Sequence, residues 1–197
     1  GCQSAYYAAW EKVGVEKRDI LVDRVENAKE SQEDAQEQFN SALEAFSAAV
    51  AFDGGELEDV YNRLNGQYED SVAASEEVSS RIDKVESVAE ALFDEWSEEL
   101  EKYENASLKR DSAAKLRETK RRYASLMTAM RKAESKMPPV LSALQDNVLY
   151  LKHNLNASAI GALQGELSTI ENNVAQLIRQ MNSAIAESDA FISSMKN

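Results

Sequence analysis

Apolar residues recur along four long segments of this chain with spacings that alternate between four and three. In the second segment the alternation is unbroken. Its positions are Leu57, Tyr61, Leu64, Tyr68, Ser71, Ser75, Val78, Ile82, Val85, Ala89, Leu92 and Trp96. Such a stripe keeps facing a partner helix only when the helices wrap around one another, so it predicts a bundle or coiled coil.

Breaks in the stripe give the helix boundaries. We expect the first helix to begin near Ser4 or Ala5 and to end at Phe52-Asp53-Gly54-Gly55, because glycines allow the positive φ of a tight reversal. The second helix should run from about Glu56 to Tyr103. The first stripe has one polar member, Gln32, and a polar core position often fixes the register of a bundle.

A weaker break separates the second and third helices, with Asn105 as a C-cap and Ser107 as an N-cap. Pro138-Pro139 interrupts the third helix, yet the stripe resumes in phase at Leu141. The phase predicts a kink, or a brief break that restarts in the same direction, instead of a reversal. The third turn lies at residues 154–158, with Ser158 as the N-cap of the last helix.

These boundaries give four segments of similar length, which permits antiparallel packing with short connections. At the helical rise, segments of this size make a rod about 60–70 Å long. The predicted fold is therefore all-α: an elongated antiparallel helical bundle or coiled coil of about four long helices, the third kinked at Pro138-Pro139. With seven Gly and two Pro in 197 residues, the chain has few of the residues that form the turns of a β-sheet.

The net charge of −13 argues against nucleic acid as a partner, because polyanions are repelled at long range. Residues 1–104 hold 27 acidic and 9 basic side chains, whereas residues 105–136 hold 10 basic and 3 acidic ones. A reversal between the two blocks would set them side by side. The expected neighbours are Glu98, Glu99 and Glu101 with Lys109 and Arg110, Asp94 and Glu95 with Lys115 and Arg117, and Glu90 with Lys120 and Arg121. The alternative is a contact site for an anionic partner at Arg117, Lys120, Arg121 and Arg122.

Reaction chemistry is scarce in the sequence. One cysteine and one histidine cannot form a zinc site of several Cys and His ligands. A di-iron bundle needs Glu-x-x-His pairs, but the residue three before His153 is Tyr150. His153 lies near a helix end, where capping or a partner contact suits an imidazole. The sequence thus predicts a protein that is not an enzyme and has no catalytic residues, metal or cofactor.

The segment Gly1-Cys2-Gln3-Ser4 is similar to the end of a bacterial lipoprotein signal, in which a small residue precedes the cysteine that becomes lipidated. We therefore expect lipidation at Cys2; an ordinary cysteine is the alternative. The aromatic residues Tyr6, Tyr7 and Trp10 suit either a membrane surface or a helix core. No stretch reaches the roughly 18 apolar residues of a membrane span.

The chain resembles the DUF2959 family, a group of uncharacterised proteins from Gram-negative bacteria. The resemblance lies in Tyr6–Lys12, Val15–Val22, Phe52–Gly55, Val85–Glu90, Phe93–Trp96, Leu116–Tyr123 and Val148–Ala157. It implies a helical, lipid-anchored envelope protein and brings no activity or site. Gln3 and Ser4, with no Asp after Cys2, resemble the pattern that sorts lipoproteins to the outer membrane.

The sequence therefore predicts an N-terminal lipid-anchor region at residues 1–10 and one helical-bundle domain at residues 11–197. The expected function is that of a scaffold, spacer or adaptor on the periplasmic side of the outer membrane, bound to the membrane and to a protein partner. The alternative is a periplasmic bundle that binds a small ligand or metal, through the acidic face of residues 83–104 or a groove at the Pro138 kink. A third interpretation is a curved bundle that senses or shapes membranes.

Association of two copies stays open as well. Val60, Val72 and Val88 lie off the main stripe and suit a homodimer contact. Val60 and Val88 could equally widen the core face of a four-helix bundle.

Overall fold

The structure is a computed structural model and describes residues 16–196, in which it has helices and no strands. The helices are α1 (Lys17–Val50), α2 (Leu57–Leu100), α3 (Ala106–Ser135), α4 (Met137–His153), α5 (Ala157–Gln164) and α6 (Leu167–Lys196). The prediction of an all-α bundle is confirmed.

The helices form an antiparallel bundle with four positions. α1 packs against α2 and α6, and α3 and α4 also pack against α2 and α6. Side-chain contacts fix the directions: Lys17 pairs with Glu95, and Gln38 Nε2 donates to Gln67 Oε1 at 3.0 Å. The N-terminal end of the bundle therefore holds the start of α1, the α2–α3 connection and the end of α6. The opposite end holds the α1–α2 and α4–α5 connections.

Small side chains dominate the buried face of α1. Its buried alanines are Ala28, Ala35, Ala42, Ala45 and Ala49. Between them Phe39 and Phe46 are fully buried and fill the space that the alanines leave. Alternation of small and large residues lets the backbones approach while the core stays filled. Each large side chain buried in this way contributes about 1.5–3 kcal/mol to the free energy of unfolding.

The described helix α1 begins at Lys17, because Glu16 has extended backbone angles (φ −80°, ψ 152°). The regular stripe also settles only from Leu21 onward, which agrees with that start. The predicted beginning near Ser4 or Ala5 lies outside the described residues. The α1–α2 turn is as predicted, since Gly55 has a φ of 104°.

Three of the predicted caps are wrong by a few residues. Asn105 is the N-cap of α3, not a C-cap: its Oδ1 accepts a hydrogen bond from the Leu108 amide at 3.0 Å. Ser107, the predicted N-cap, lies inside α3. At the third turn Asn156 replaces Ser158 as N-cap and accepts from the Ala159 amide at 3.2 Å. Asn and Ser are both preferred N-cap residues, so the sequence alone did not decide between neighbouring candidates.

The Pro138-Pro139 break behaves as predicted. Lys136 separates α3 from α4 with φ −89° and ψ −10°, and both prolines lie in the first turn of α4. Amide groups of a first turn have no acceptor within the helix, so proline costs little there. Because α3 and α4 both pack on α2 and α6, the chain restarts in the same direction.

The last helix is interrupted, which the sequence analysis did not foresee. α5 ends at Gln164, and α6 begins at Leu167 after Gly165 and Glu166. The Gln164 side chain donates from Nε2 to the carbonyl oxygen of Val50 at 2.9 Å. This contact joins α5 to the end of α1 at the opposite end of the bundle.

Val88 is fully buried, so it belongs to the core of the bundle. The core-widening interpretation is therefore right for Val88, and its use as an exposed homodimer contact is wrong. Val60 and Val72 are half-buried.

Gln32 is an exception among the buried polar residues. Its side chain is fully buried, and neither Nε2 nor Oε1 has a hydrogen-bond partner among the described residues. The other buried polar side chains donate to carbonyl groups of their own helix. They are Ser31, Ser71, Asn147 and Ser188. An unsatisfied buried amide destabilises a fold by about 1–3 kcal/mol.

Replacing Gln32 by leucine should therefore stabilise the bundle. We expect Gln32→Leu to raise the free energy of unfolding by about 1–3 kcal/mol, because the desolvated amide is removed. Chemical denaturation followed by circular dichroism measures the change. Gln38→Leu is the control: its amide is bonded to Gln67, so that variant should gain nothing. A Gln32→Leu protein no more stable than the wild type would contradict the prediction.

Candidate functional site

A groove of about 510 Å³ runs between α3 and α6, near the N-terminal end of the bundle. From α3 it is lined by Arg121, Arg122 and Ser125. From α6 it is lined by Glu187, Ala190, Phe191, Ser193 and Ser194. Phe191 is buried and gives the groove an apolar base, while the other side chains supply charges and hydroxyl groups.

Arg121 and Arg122 share one carboxylate on their own helix. Arg121 Nε donates to Glu118 Oε2 at 3.0 Å, and Arg122 Nε donates to Glu118 Oε1 at 3.0 Å. The hydrogen bonds from Arg121 lower the pKa of Glu118 most; together with the charge of Arg121 and the hydrogen bond and charge of Arg122 they outweigh desolvation and bring this pKa to about 2. Glu118 therefore stays ionised and holds both guanidinium groups at the groove.

The four basic residues that the sequence singled out do not form one site. Arg121 and Arg122 reach the α3–α6 groove, whereas Lys120 lies toward α2 with its Nζ 5.8 Å from the centre of the Phe93 ring. Arg117 is exposed and has no ion-pair partner among residues 16–196. The structure thus brings two of the four residues together at a cavity. The other proposed site residue, Cys2, lies outside the described residues.

The predicted pairing of acidic and basic blocks across the α2–α3 turn is largely wrong. Lys109 does lie near Glu101, with a distance of 3.9 Å between Nζ and Oε2. Lys115 instead pairs with Asp111 on its own helix, and Glu95 pairs with Lys17 of α1. Carboxylates one turn away on the same helix are near neighbours, and they take Lys115, Arg121 and Arg122.

The main ionic contact between α2 and α3 was not predicted. Arg131 Nη2 donates to Asp83 Oδ1 at 3.0 Å and to Glu86 Oε2 at 3.1 Å. Arg131 Nη1 donates to Glu134 Oε1 at 3.2 Å. Burial disfavours the charged guanidinium, but the hydrogen bonds to Glu86, Asp83 and Glu134 outweigh burial and raise the pKa of Arg131. Arg131 therefore ties α2 to α3.

Tyr123 lies between these two helices. Its ring meets Phe93 edge to face, with 5.4 Å between ring centres. Burial, followed by the charges of Glu86 and Glu90, raises the pKa of Tyr123 to about 12. The phenol is therefore protonated at neutral pH.

Sequence reasoning missed the residues that α6 brings to the groove, among them Glu187 and Ser193. They are exposed positions of an amphipathic helix, and nothing in their spacing marks them. Only the packing of α6 on α3 pairs them with Arg121 and Arg122.

The described residues contain neither a cluster of metal ligands nor a helix that could span a membrane. Between residues 16 and 196, no three His, Cys, Asp or Glu side chains converge as metal ligands would. None of the helices described has the length and apolar character that crossing a membrane requires.

The fold and the groove define a four-position antiparallel helical bundle with a charged, partly apolar surface groove. The chain belongs to the family described as protein of unknown function (DUF2959), which matches residues 6–195, nearly the whole chain. This confirms the resemblance seen in the sequence. A comparison with curated proteins gave no match.

Loss of Arg131 should loosen the contact between α2 and α3. We expect Arg131→Met to lower the free energy of unfolding by about 1–2 kcal/mol, since exposed ion pairs are weak individually but three carboxylates share this guanidinium. Urea denaturation at low salt and at 1 M salt measures the free energy of unfolding. The loss of stability relative to the wild type should be smaller at 1 M salt, because salt screens the ion pairs. Arg117→Met is the matched control and should be neutral. Equal stability of both variants at low salt would refute the role of Arg131.

Tyr123 should release its proton only at an unusually high pH. Its folded-state pKa is raised, so the associated stability is complete below pH 10 and is lost as the pH rises toward 12. The tyrosinate absorbance of the wild type and of Tyr123→Phe is titrated against pH, and we expect the wild type to gain its extra absorbance near pH 12. In denaturant the wild type should gain that extra absorbance near pH 10. A difference that develops near pH 10 in the folded protein would show the phenol to be solvated.

Proposed function

We propose that this protein is a non-enzymatic lipoprotein of the cell envelope, whose helical bundle acts as a scaffold, spacer or adaptor. The observation that carries the proposal is the geometry of the bundle. α1 begins at one end, and α2 (Leu57–Leu100) spans about 66 Å at the helical rise. A tether that precedes Lys17 would hold the N-terminal end near a membrane and leave the opposite end far from it.

Exposed apolar side chains lie at both ends of the rod. Tyr103 and Leu108 are exposed at the α2–α3 connection, at the N-terminal end. Leu149, Tyr150 and Leu155 are exposed around the α4–α5 connection, at the opposite end. This distribution supports a spacer that contacts different surfaces at its two ends: the membrane near α1 and a protein partner at the far end.

The anchor in this proposal is Cys2, within Gly1-Cys2-Gln3-Ser4. Two or more acyl chains are needed for stable membrane attachment, because a single chain binds only marginally. The sequence pattern after Cys2 supports sorting to the periplasmic face of the outer membrane. A homodimer is a further arrangement, for which Val60 and Val72 remain partly accessible.

A second candidate function is binding of a small ligand, favoured by the α3–α6 groove. This groove differs from the two locations expected from the sequence, the acidic face of residues 83–104 and the Pro138 kink. Its lining is mostly charged and hydroxyl-bearing, so a polar ligand would find several hydrogen-bond and ion-pair partners there.

The anchor can be tested with one substitution. In cells that process lipoproteins, we expect Cys2→Ala to move the protein from the membrane fraction to the soluble fraction, with an unchanged thermal melt. Fractionation and intact-mass measurement give the two readouts, and the wild type should carry acyl mass on Cys2. Ser4→Ala is the control and should stay with the membrane. A Cys2→Ala protein that still sediments with membranes would rule out this anchor.

A further inference from the structure

The α3–α6 groove has one basic end. Arg122 uses Nε to bind Glu118, which leaves both terminal nitrogen atoms of its guanidinium without an acceptor among the described residues. Arg121 lies beside it, and the hydroxyl groups of Ser125 and Ser193 have no hydrogen-bond partner in the described part of the chain. Because α3 and α6 are antiparallel, Arg121, Arg122 and Ser193 lie toward the same end of the cavity, with Ser125 one helical turn further along α3. Forked guanidinium groups and hydroxyls are the donors that bind phosphate oxygens well.

The groove also has an acidic end. The Glu187 carboxylate lines it, and Glu187 has no ion-pair partner among residues 16–196. Glu187 and Ser193 are on the same helix, about 9 Å apart along its axis at 1.5 Å per residue. An unpaired carboxylate in the same groove as two arginines would repel a simple anion but would attract a cation.

Summed locally, the charges cancel. Arg121 and Arg122 are balanced by Glu118, which they bind, and by Glu187, which stands apart. The groove therefore offers separated positive and negative ends instead of a net positive charge. Between the ends lie Ala190 and Phe191, which is only 2% exposed, so the middle of the groove carries no charge and can receive a short hydrocarbon segment.

We infer that the groove binds a zwitterion in which a phosphate and an ammonium group are joined by a short carbon chain, as in phosphoethanolamine. The phosphate lies against Arg121, Arg122, Ser125 and Ser193, and the ammonium group binds the Glu187 carboxylate. An α-amino acid fits less well, because its two charges are separated by a single carbon atom. The shared chemistry has two sources: a free phosphoethanolamine ester and the headgroup of phosphatidylethanolamine.

This inference rests on the second, ligand-binding candidate function and is independent of the lipid anchor. Its test uses the full chain carrying Cys2→Ala, so that no acyl group contributes to binding. The groove can bind its ligand even if the fractionation experiment shows no anchor at Cys2. Equally, Cys2 can be the anchor even if the groove binds nothing.

The first arm is calorimetry with phosphoethanolamine, inorganic phosphate and ethanolamine. We expect phosphoethanolamine to bind more tightly than either fragment. Glu187→Gln should weaken phosphoethanolamine about tenfold or more, and it should leave phosphate unchanged or tighter, because a repelling carboxylate is lost. Arg122→Gln should weaken both phosphoethanolamine and phosphate. Arg117→Gln, outside the groove, should change neither.

The second arm identifies the source. Flotation is measured with vesicles of phosphatidylethanolamine mixed with phosphatidylcholine, and with vesicles of phosphatidylcholine alone, whose methylated ammonium cannot donate hydrogen bonds to Glu187. Binding to the phosphatidylethanolamine vesicles that Glu187→Gln abolishes supports the headgroup. Binding of the soluble ester without flotation supports the free ligand.

Thermal melts of each variant check that the bundle is folded. The inference is overturned if neither arm detects binding, if phosphate alone binds as tightly as phosphoethanolamine, or if Glu187→Gln and Arg122→Gln bind like the wild type while their melts are unchanged.

Discussion

The close packing of α1 between α2 and α6 is the constraint on which the rest of the bundle depends. α1 carries a continuous buried face from Ile20 to Val50, in which alanines alternate with large apolar residues. Alanine lets two helix backbones approach, and a close approach leaves no room for a shift in register. Once α1 fixes α2 and α6, these two helices form the surface that receives α3 and α4. The α3–α6 groove is therefore a consequence of packing that begins on the far side of the bundle.

The interruptions of the helices fit the same constraint. Lys136 breaks the helix between α3 and α4, yet Met137 and Val140 on the far side of the break are fully buried. A few backbone hydrogen bonds are lost at the break, but the buried face of α4 stays in line with the buried face of α3. Near Gly165 the chain breaks again, and Gln164 satisfies the Val50 carbonyl at the end of α1. In both places the burial of side chains outweighs the continuity of the helix.

The sequence predicted the fold because heptad spacing reports burial directly, as the agreement along Val78, Ile82, Val85 and Ala89 shows. It predicted the caps less well, since Asn105 and Ser107 are chemically similar candidates within one turn. It failed on most ion pairs, because exposed side chains choose among several partners that differ by little energy. The groove was out of reach for another reason: Glu187 and Arg122 are far apart in the chain, and only the packing of α6 on α3 sets them at one cavity.

The overall charge bears on what such a groove can bind. A protein with a net charge of −13 repels small anions at long range, and salt screens this repulsion only partly over a Debye length of about 8 Å. Two arginines that already share Glu118 do little to reverse that field. The headgroup of phosphatidylethanolamine is a phosphodiester with one ammonium group, so it has no net charge and approaches without the repulsion, and its two charges meet opposite charges only inside the groove. The free monoester keeps a net negative charge near neutral pH and still meets part of the repulsion. The acidity of the chain and the mixed charge of the groove thus favour the same class of ligand, which explains how an acidic bundle can present an arginine pair without selecting polyanions.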